Sequence, residues 1–376
     1  MKIAINTRFL LKDRLEGIGW FTCEVARRLV EQHPEHQFYF LFDRPFDESF
    51  VFGPNVKPIV VKPQARHPLL WYWWFERSLP KVFRKIQADV FFSPDGYASL
   101  RAKTPTVMVT HDLAFEQFPA HVPRLVRRYY RHFVPRYHRK AERIIAVSQF
   151  TKSDIERKYK VDGKKISVAC NGVRRDFRPL DAALKRAVRN RYTSGKPYFF
   201  YLGSVHPRKN VDRLIQAFDR YKQRVQSDIQ LLIGGRFAWQ SRAVDKAYQQ
   251  ARFQKDIIFL GFVPEEELPL LLGAATALTY VSLFEGFGVP LLEAMHCEVP
   301  IITSNNTSMR EIAGAACYLV DPTVVDQIAV AMQTLIDDQQ KQRELILAGK
   351  KQRNKYTWDK AAAVVWENIV QAADFA

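Results

Sequence analysis

Tyr198-Phe199-Phe200-Tyr201-Leu202-Gly203-Ser204-Val205-His206-Pro207-Arg208-Lys209-Asn210 is the stretch on which the reading of this chain turns. The β-favouring run 198–202 stops at Gly203. Past Asn210 the apolar residues fall at Val211, Leu214, Ile215 and Phe218, the i, i+3, i+4, i+7 spacing of one helix face. That is strand, turn, helix, with Asn210 at the expected N-cap. Working outward, short apolar strands recur at 229–233, 257–260, 277–281, 300–303 and 317–320. Upstream they recur at 2–5, 37–42, 56–61, 90–93, 106–110, 143–147 and 165–169, with helical patterns between several of them. Such alternation predicts parallel sheets covered on both faces. Breaks at Asn171-Gly172 and Phe177-Arg178-Pro179 predict two doubly wound domains, residues 1–177 and 178–357, followed by an amphipathic helix over 358–376. Parallel sheets bind ligands beyond the carboxyl ends of their strands, so two such domains are expected to face a central cleft.

The composition agrees. A chain of 376 residues suits two cores, and 47% hydrophobic with 26% charged residues is a globular balance. Cys23, Cys170, Cys297 and Cys317 stand far apart with no C-x-x-C pair, against a zinc site or disulfide framework and in keeping with a reducing cytoplasm. No secretory leader is read at the start. The weakly polar run 268–284 contains Pro269 and Gly273, and reads as a short helix and a strand rather than a membrane span. The net charge of +18 calls for an anionic partner without choosing among nucleic acid, a membrane surface and a phosphorylated substrate.

Several motifs carry chemistry. Arg208 and Lys209 lie at a helix N-terminus beside backbone N–H groups, which suits a diphosphate; the alternative is a solvated basic loop. In Phe284-Glu285-Gly286-Phe287-Gly288-Val289-Pro290-Leu291-Leu292-Glu293-Ala294-Met295, Pro290 fits the first turn of a helix, and the glycines let backbone approach a ligand. Glu285 on that loop and Glu293 a turn into the helix are carboxylates able to accept from sugar and ribose hydroxyls; the alternative is a tight turn with two surface glutamates. His111, in Thr110-His111-Asp112, sits at the tip of the strand 106–110, either as a sugar contact or as an ordinary loop residue. Gly17 and Gly19, in Glu16-Gly17-Ile18-Gly19-Trp20-Phe21, open a helix after the first strand.

Taken together, E-G-F-G-V-P-L-L-E-A-M at 285–295, G-S-x-x-P-R-K-N at 203–210, V-S-x-F-T-K-x-D-I at 147–155, N-G-V at 171–173 and L-V-D-P at 319–322 resemble glycosyltransferase family 4, over nearly the whole chain. The resemblance implies the GT-B fold of two Rossmann-like domains. It implies a retaining enzyme dependent on a nucleotide sugar, similar to bacterial mannosyltransferases of polysaccharide synthesis. Carried over, Lys209 helped by Arg208 would hold the diphosphate, Glu285 the donor sugar, Glu293 the ribose, and Gly286, Phe287, Gly288 and Val289 would offer amides to sugar or phosphate. His111 would lie near the transferred sugar, Gly203 would end the donor-side strand, Gly17 and Gly19 would sit near the phosphates, and the last helix would pack on the N-terminal domain. Ser204 departs from the Arg that many members carry there.

These residues give the candidate catalytic set His111, Arg208, Lys209 and Glu285. No D-x-D occurs, so no metal is expected and the positive charge facing the diphosphate comes from protein. The expected reaction moves a hexose, mannose from GDP-mannose, to a glycan or polyprenyl-linked acceptor, with UDP-glucose or UDP-N-acetylglucosamine as alternative donors. No bound cofactor is expected, the nucleotide sugar being a co-substrate. Residues 121–143 hold eight Lys and Arg against one acid, interleaved with Tyr129, Tyr130, Phe133 and Tyr137, and Trp71-Tyr72-Trp73-Trp74-Phe75 lies upstream. This suits a cytoplasmic enzyme peripheral on the anionic inner face of the membrane, or else aromatics in the core beneath a solvated basic helix. A basic nucleic-acid-binding protein is the alternative of a different class, although no nucleic-acid motif is present.

Overall fold

The computed structural model describes residues 1–12, 14–236 and 242–374. The chain divides into two compact units, Met1–Asn171 with Thr357–Ala376, and Gly172–Tyr356. The division falls at Asn171-Gly172, the first of the two sequence breaks, rather than at 177/178. Residues just past it are tied to the second unit, where Arg174 Nη1 donates to Glu265 Oε2 at 3.0 Å.

In the first unit the strands are β1 Lys2–Asn6, β2 Gln37–Phe42, β3 Val56–Val60, β4 Val90–Ser93, β5 Thr106–Thr110, β6 Arg143–Ala146 and β7 Ile166–Val168. They form one sheet in the order β3-β2-β1-β4-β5-β6-β7, and every neighbouring pair is parallel. β1 is central, with Ile3, Ala4 and Ile5 wholly buried, which is why its sequence is an unbroken apolar run. The chain builds outward from β1 to β3, then returns to lay β4 on the other side of β1. The β1/β4 seam is therefore the switch point at which a ligand crevice opens.

The second unit repeats the plan with β8 Tyr198–Leu202, β9 Gln230–Gly234, β10 Ile257–Gly261, β11 Ala277–Tyr280, β12 Ile301–Ser304 and β13 Tyr318–Val320, in the order β10-β9-β8-β11-β12-β13, again all parallel. Its switch point is the β8/β11 seam. The run 268–284 is the short helix Leu268–Gly273 followed by β11, as its Pro and Gly indicate.

The helix Trp358–Ala373 packs in the first unit against the helix Gly17–Gln32, burying Ala361, Val365 and Ile369, while Val364 is only half-buried. Arg28 Nε pairs with Asp359 at 2.6 Å, and Ser167 Oγ donates to Asn368 at 3.0 Å. Residues 375–376 lie outside the described residues.

The aromatic stretch expected on a basic surface is largely core. Trp74, Phe75 and Tyr137 are wholly buried, Trp74 Nε1 donates to Val61 O at 2.9 Å, and the Tyr129 and Tyr137 hydroxyls share a 2.7 Å hydrogen bond. What faces outward is narrower: Leu69, Leu70 and Trp73 on the helix Pro68–Trp73, and Leu125 among the arginines of the helix Arg124–Lys140. Among the described residues, no helix is long and apolar enough to cross a membrane.

Candidate functional site

In the second unit the β8/β11 seam gathers the predicted residues. Gly203, whose φ is 147°, follows the last residue of β8, and Gly235, whose φ is 148°, follows the last residue of β9. The two backbones are so close that a Cβ on Gly235 would stand 1.9 Å from the Gly203 carbonyl oxygen. Only glycine fits there, in conformation and in space. Beyond this turn Pro207–Lys209 form a single 3-10 turn that leads into the helix Val211–Arg224.

Asn210 does stand at the N-cap, but it does not cap. Its φ is 62°, and its side-chain amide instead donates to Val281 O at 3.0 Å and Pro322 O at 2.7 Å. It fastens the turn to the loops after β11 and β13, a role better served by a buried carboxamide, with two N–H donors, than by a hydroxyl. A further backbone bond, Leu283 N to Arg208 O at 2.9 Å, joins the 207–209 turn to the loop after β11.

That fastening brings Arg208 and Lys209 onto Glu285. Lys209 Nζ lies 2.6 Å from Glu285 Oε1, and Arg208 Nη1 lies 3.1 Å from Oε2 and donates to Phe284 O at 2.6 Å. Burial would raise the Glu285 carboxyl, but the adjacent Lys209 and Arg208 charges more than offset it and hold it down at about 2. Glu285 is therefore an anion at every physiological pH, and the cluster of two cations and one anion keeps one net positive charge.

Tyr280, the last residue of β11, completes the cluster. Its hydroxyl stands 2.7 Å from Lys209 Nζ and 3.2 Å from Glu285 Oε1. The motif reading missed it; its place at the carboxyl end of a switch-point strand was the available signal.

The loop 285–288 is held from behind, where Ser308 Oγ donates to the carbonyls of Glu285 and Phe287 at 2.8 and 3.1 Å. Phe287 is buried, and Gly288, at φ 97°, stands at the N-cap of the helix Val289–His296 with Pro290 in its first turn. Gly286 and Val289 flank that turn on the same backbone. The carboxylate of Glu293, on that helix, makes no hydrogen bond or ion pair among the described residues. Burial pushes its carboxyl up to about 7, against the opposing pull of Arg174.

In the first unit the sheet positions His111 immediately after β5. Its Nε2 is 2.7 Å from Pro94 O, its ring meets the edge of Phe21 at 5.3 Å, and burial pushes its pKa below the ordinary histidine value. Gly17 is the first residue of the helix Gly17–Gln32, with open space where a Cβ would be. Gly19 is packed under Phe9, whose carbonyl oxygen a Cβ would approach to 2.9 Å. Gly19 is thus required by packing, whereas among the described residues of its unit nothing stands within 4 Å of a Cβ on Gly17.

Sequence reasoning also missed a buried polar cluster at the β1/β4 seam. Arg8 Nε lies 2.5 Å from Asp95 Oδ2, Asn6 Nδ2 lies 2.7 Å from the same oxygen, and the Arg8 guanidinium sits over the rings of Tyr97, Phe9 and Phe75 at 4.3, 4.9 and 5.2 Å. Asn6 follows an apolar strand and Arg8 looks like a loop cation, so their partnership with a residue far along the chain is visible only in space.

Comparison with known proteins gives this geometry its family. The model described as Glycosyltransferase Family 4 matches residues 15–177, and that described as Glycosyl transferases group 1 matches residues 185–352. The O-antigen chain mannosyltransferase B of Escherichia coli is 31% identical over 96% of this chain and 97% of its own. The serotype-specific mannosyltransferase WbdA of Escherichia coli is 24% identical over 99% of this chain, which spans 48% of that longer protein. Among solved structures, sucrose-phosphate synthase from Thermosynechococcus elongatus superposes with a TM-score of 0.80 at 16% identity, covering 100% of both chains. The two parallel-sheet units are those of the GT-B fold. The chain belongs to glycosyltransferase family 4, and it is a glycosyltransferase.

Proposed function

We propose that the protein transfers mannose from GDP-mannose, with retention at the anomeric carbon and without a metal, to a glycan or polyprenyl-linked acceptor in surface-polysaccharide synthesis. The observation that carries the reading is the Arg208–Lys209–Glu285–Tyr280 cluster at the β8/β11 seam. Departure of a nucleoside diphosphate builds negative charge on the phosphates. Fixed cations at a protein site with few waters stabilise that charge without reorganising. Arg208 and Lys209 are the catalytic cations, and Glu285, ionised and pinned between them, accepts hydrogen bonds from hydroxyls of the transferred sugar. The amides of residues 286–289 open towards the same ligand, Gly203 and Gly17 leave room for its phosphates, and Glu293 takes the ribose. His111 contacts the transferred sugar. The mannosyl donor is supported by the activities named for the Escherichia coli relatives.

Initial rates with GDP-mannose, UDP-glucose and UDP-N-acetylglucosamine, each with EDTA, test the donor. GDP-mannose turnover unaffected by EDTA is expected. Exclusive use of a UDP-sugar overturns the donor assignment, and loss of turnover in EDTA overturns the metal-free mechanism.

The same enzyme sits on the cytoplasmic face of an anionic membrane. Support comes from Leu69, Leu70 and Trp73, exposed on a helix that touches the arginine-rich helix Arg124–Lys140, whose Arg124, Arg128 and Arg131 are also exposed. Apolar side chains beside exposed arginines suit an interface of anionic headgroups.

A further inference from the structure

The buried cluster at the β1/β4 seam has no task in the reading above, yet Asp95 directly follows Pro94, whose carbonyl bonds a residue that does. Asp95 is almost wholly buried, and its carboxylate is saturated. Oδ2 takes Asn6 Nδ2 at 2.7 Å and Arg8 Nε at 2.5 Å, while Oδ1 takes Ser93 Oγ at 3.1 Å and the Tyr97 amide at 3.3 Å. Four donors from β1, β4 and the loops that follow each of them fix the backbone of residues 94–97 against the sheet. The carbonyl immediately before Asp95, that of Pro94, is the one 2.7 Å from His111 Nε2. A carbonyl oxygen only accepts, so the imidazole carries its proton on Nε2. With burial favouring the neutral ring, Nδ1 is left as a bare acceptor, and it makes no hydrogen bond among the described residues.

We propose that Asp95, through Asn6, Arg8 and the 94–97 loop, is a positioning residue that locks His111 in the Nε2–H tautomer, so that Nδ1 accepts a hydrogen bond from one hydroxyl of the transferred sugar. The inference rests on the reading that His111 faces that sugar. The device resembles the orienting partner of a metal-bound or catalytic histidine, where the bond made by one ring nitrogen decides what the other can do. It makes His111 a discriminator: an acceptor nitrogen reads a hydroxyl and rejects a group with no proton to give.

Long-range 1H–15N spectra of the histidine rings in the full-length protein, assigned through His111→Gln, read the tautomer directly. The expected His111 signals at pH 8 are a pyrrole-like Nε2 and a pyridine-like Nδ1; a protonated Nδ1 there overturns the proposal whatever the activity. In Asp95→Asn the signal is expected to shift towards a tautomeric mixture, and Ser93→Ala, which removes a single donor, is the milder variant should Asp95→Asn fail to fold. An unchanged His111 signal in a folded Asp95→Asn shows that Asp95 does not set the tautomer.

Monofluorinated donor sugars then locate the hydroxyl. One fluorine replacement is expected to lower kcat/KM by about tenfold or more in wild type and to cost little further in His111→Ala. The predicted tautomer combined with fully additive losses at every position overturns only the placement of His111 at the sugar, and so separates failure of that reading from failure of the lock.

Discussion

Lys209, Arg208 and Glu285 form one electrostatic unit, so none of them can be altered alone without exposing its partners. Lys209→Ala is expected to lower kcat by about 10²–10³-fold, the loss seen when one preorganised donor to a developing anion is removed. Single-turnover kinetics check this, and unchanged turnover removes Lys209 from the mechanism. The two glutamates should be separable by pH. Glu285 is held at about 2, below its ordinary 4.5, so its contribution to stability is present above pH 4.5 and is lost as pH falls through 2. Glu293 is raised to about 7, so the folded protein binds its proton more tightly than the unfolded chain; its contribution is present below pH 4.5 and is lost as pH rises through 7. The melting temperature of wild type minus that of Glu293→Gln should therefore fall between pH 4.5 and 7 and be flat outside that window, whereas the difference to Glu285→Gln should shrink only on the acid side. A difference to Glu293→Gln that does not vary with pH shows the Glu293 carboxyl to be solvated and ordinary.

At the scale of the element, the strand-end turns decide whether the site forms. Gly235 and Gly203 touch backbone to backbone, so Gly235→Ala forces either β8 or β9 to move. A stability loss of about 2 kcal/mol or more is expected from denaturant unfolding, with weakened nucleotide binding because Gly203 leads directly to Arg208. A variant of wild-type stability and affinity contradicts the tight approach. The helix Pro68–Trp73 carries its own prediction: Trp73→Asp should abolish co-sedimentation with vesicles containing anionic lipid and leave transfer to a soluble acceptor intact. Equal binding by both proteins, or none by either, contradicts a membrane role for that helix. The aromatic run also shows where pattern reading stops. Trp73 and Trp74 are adjacent in sequence, yet one is exposed and the other wholly buried, because one helical step of about 100° carries a side chain from the outer face to the core.

For the molecule as a whole, the strands were legible because a strand of a parallel sheet is buried on both faces and reads as an unbroken apolar run ended by a turn residue. β1 to β13 lie within a residue or two of their expected positions. The order of strands was legible only by analogy, yet it is what creates the two seams. The residues gathered at the β8/β11 seam could be picked out because they fall in two short motifs at the carboxyl ends of its strands. Tyr280, Asn6, Arg8 and Asp95 could not, because each acts on a partner beyond the end of a neighbouring strand, and only the order of strands in the sheet brings them together. Asn210 was placed correctly for a wrong reason: its position follows from the helix period, its partners from the loops after β11 and β13.

The most direct test of the central claim, that the β8/β11 seam binds a nucleotide-diphosphate sugar through protein cations alone, is a thermal-shift panel of GDP, UDP and their sugars, with and without EDTA, on wild type and Lys209→Ala. A ligand at about 100 times its Kd stabilises the fold by about 2.7 kcal/mol. The expected result is stabilisation by nucleotides of one base, unchanged by EDTA and lost in Lys209→Ala. Stabilisation that vanishes in EDTA, or that persists undiminished in Lys209→Ala, contradicts it.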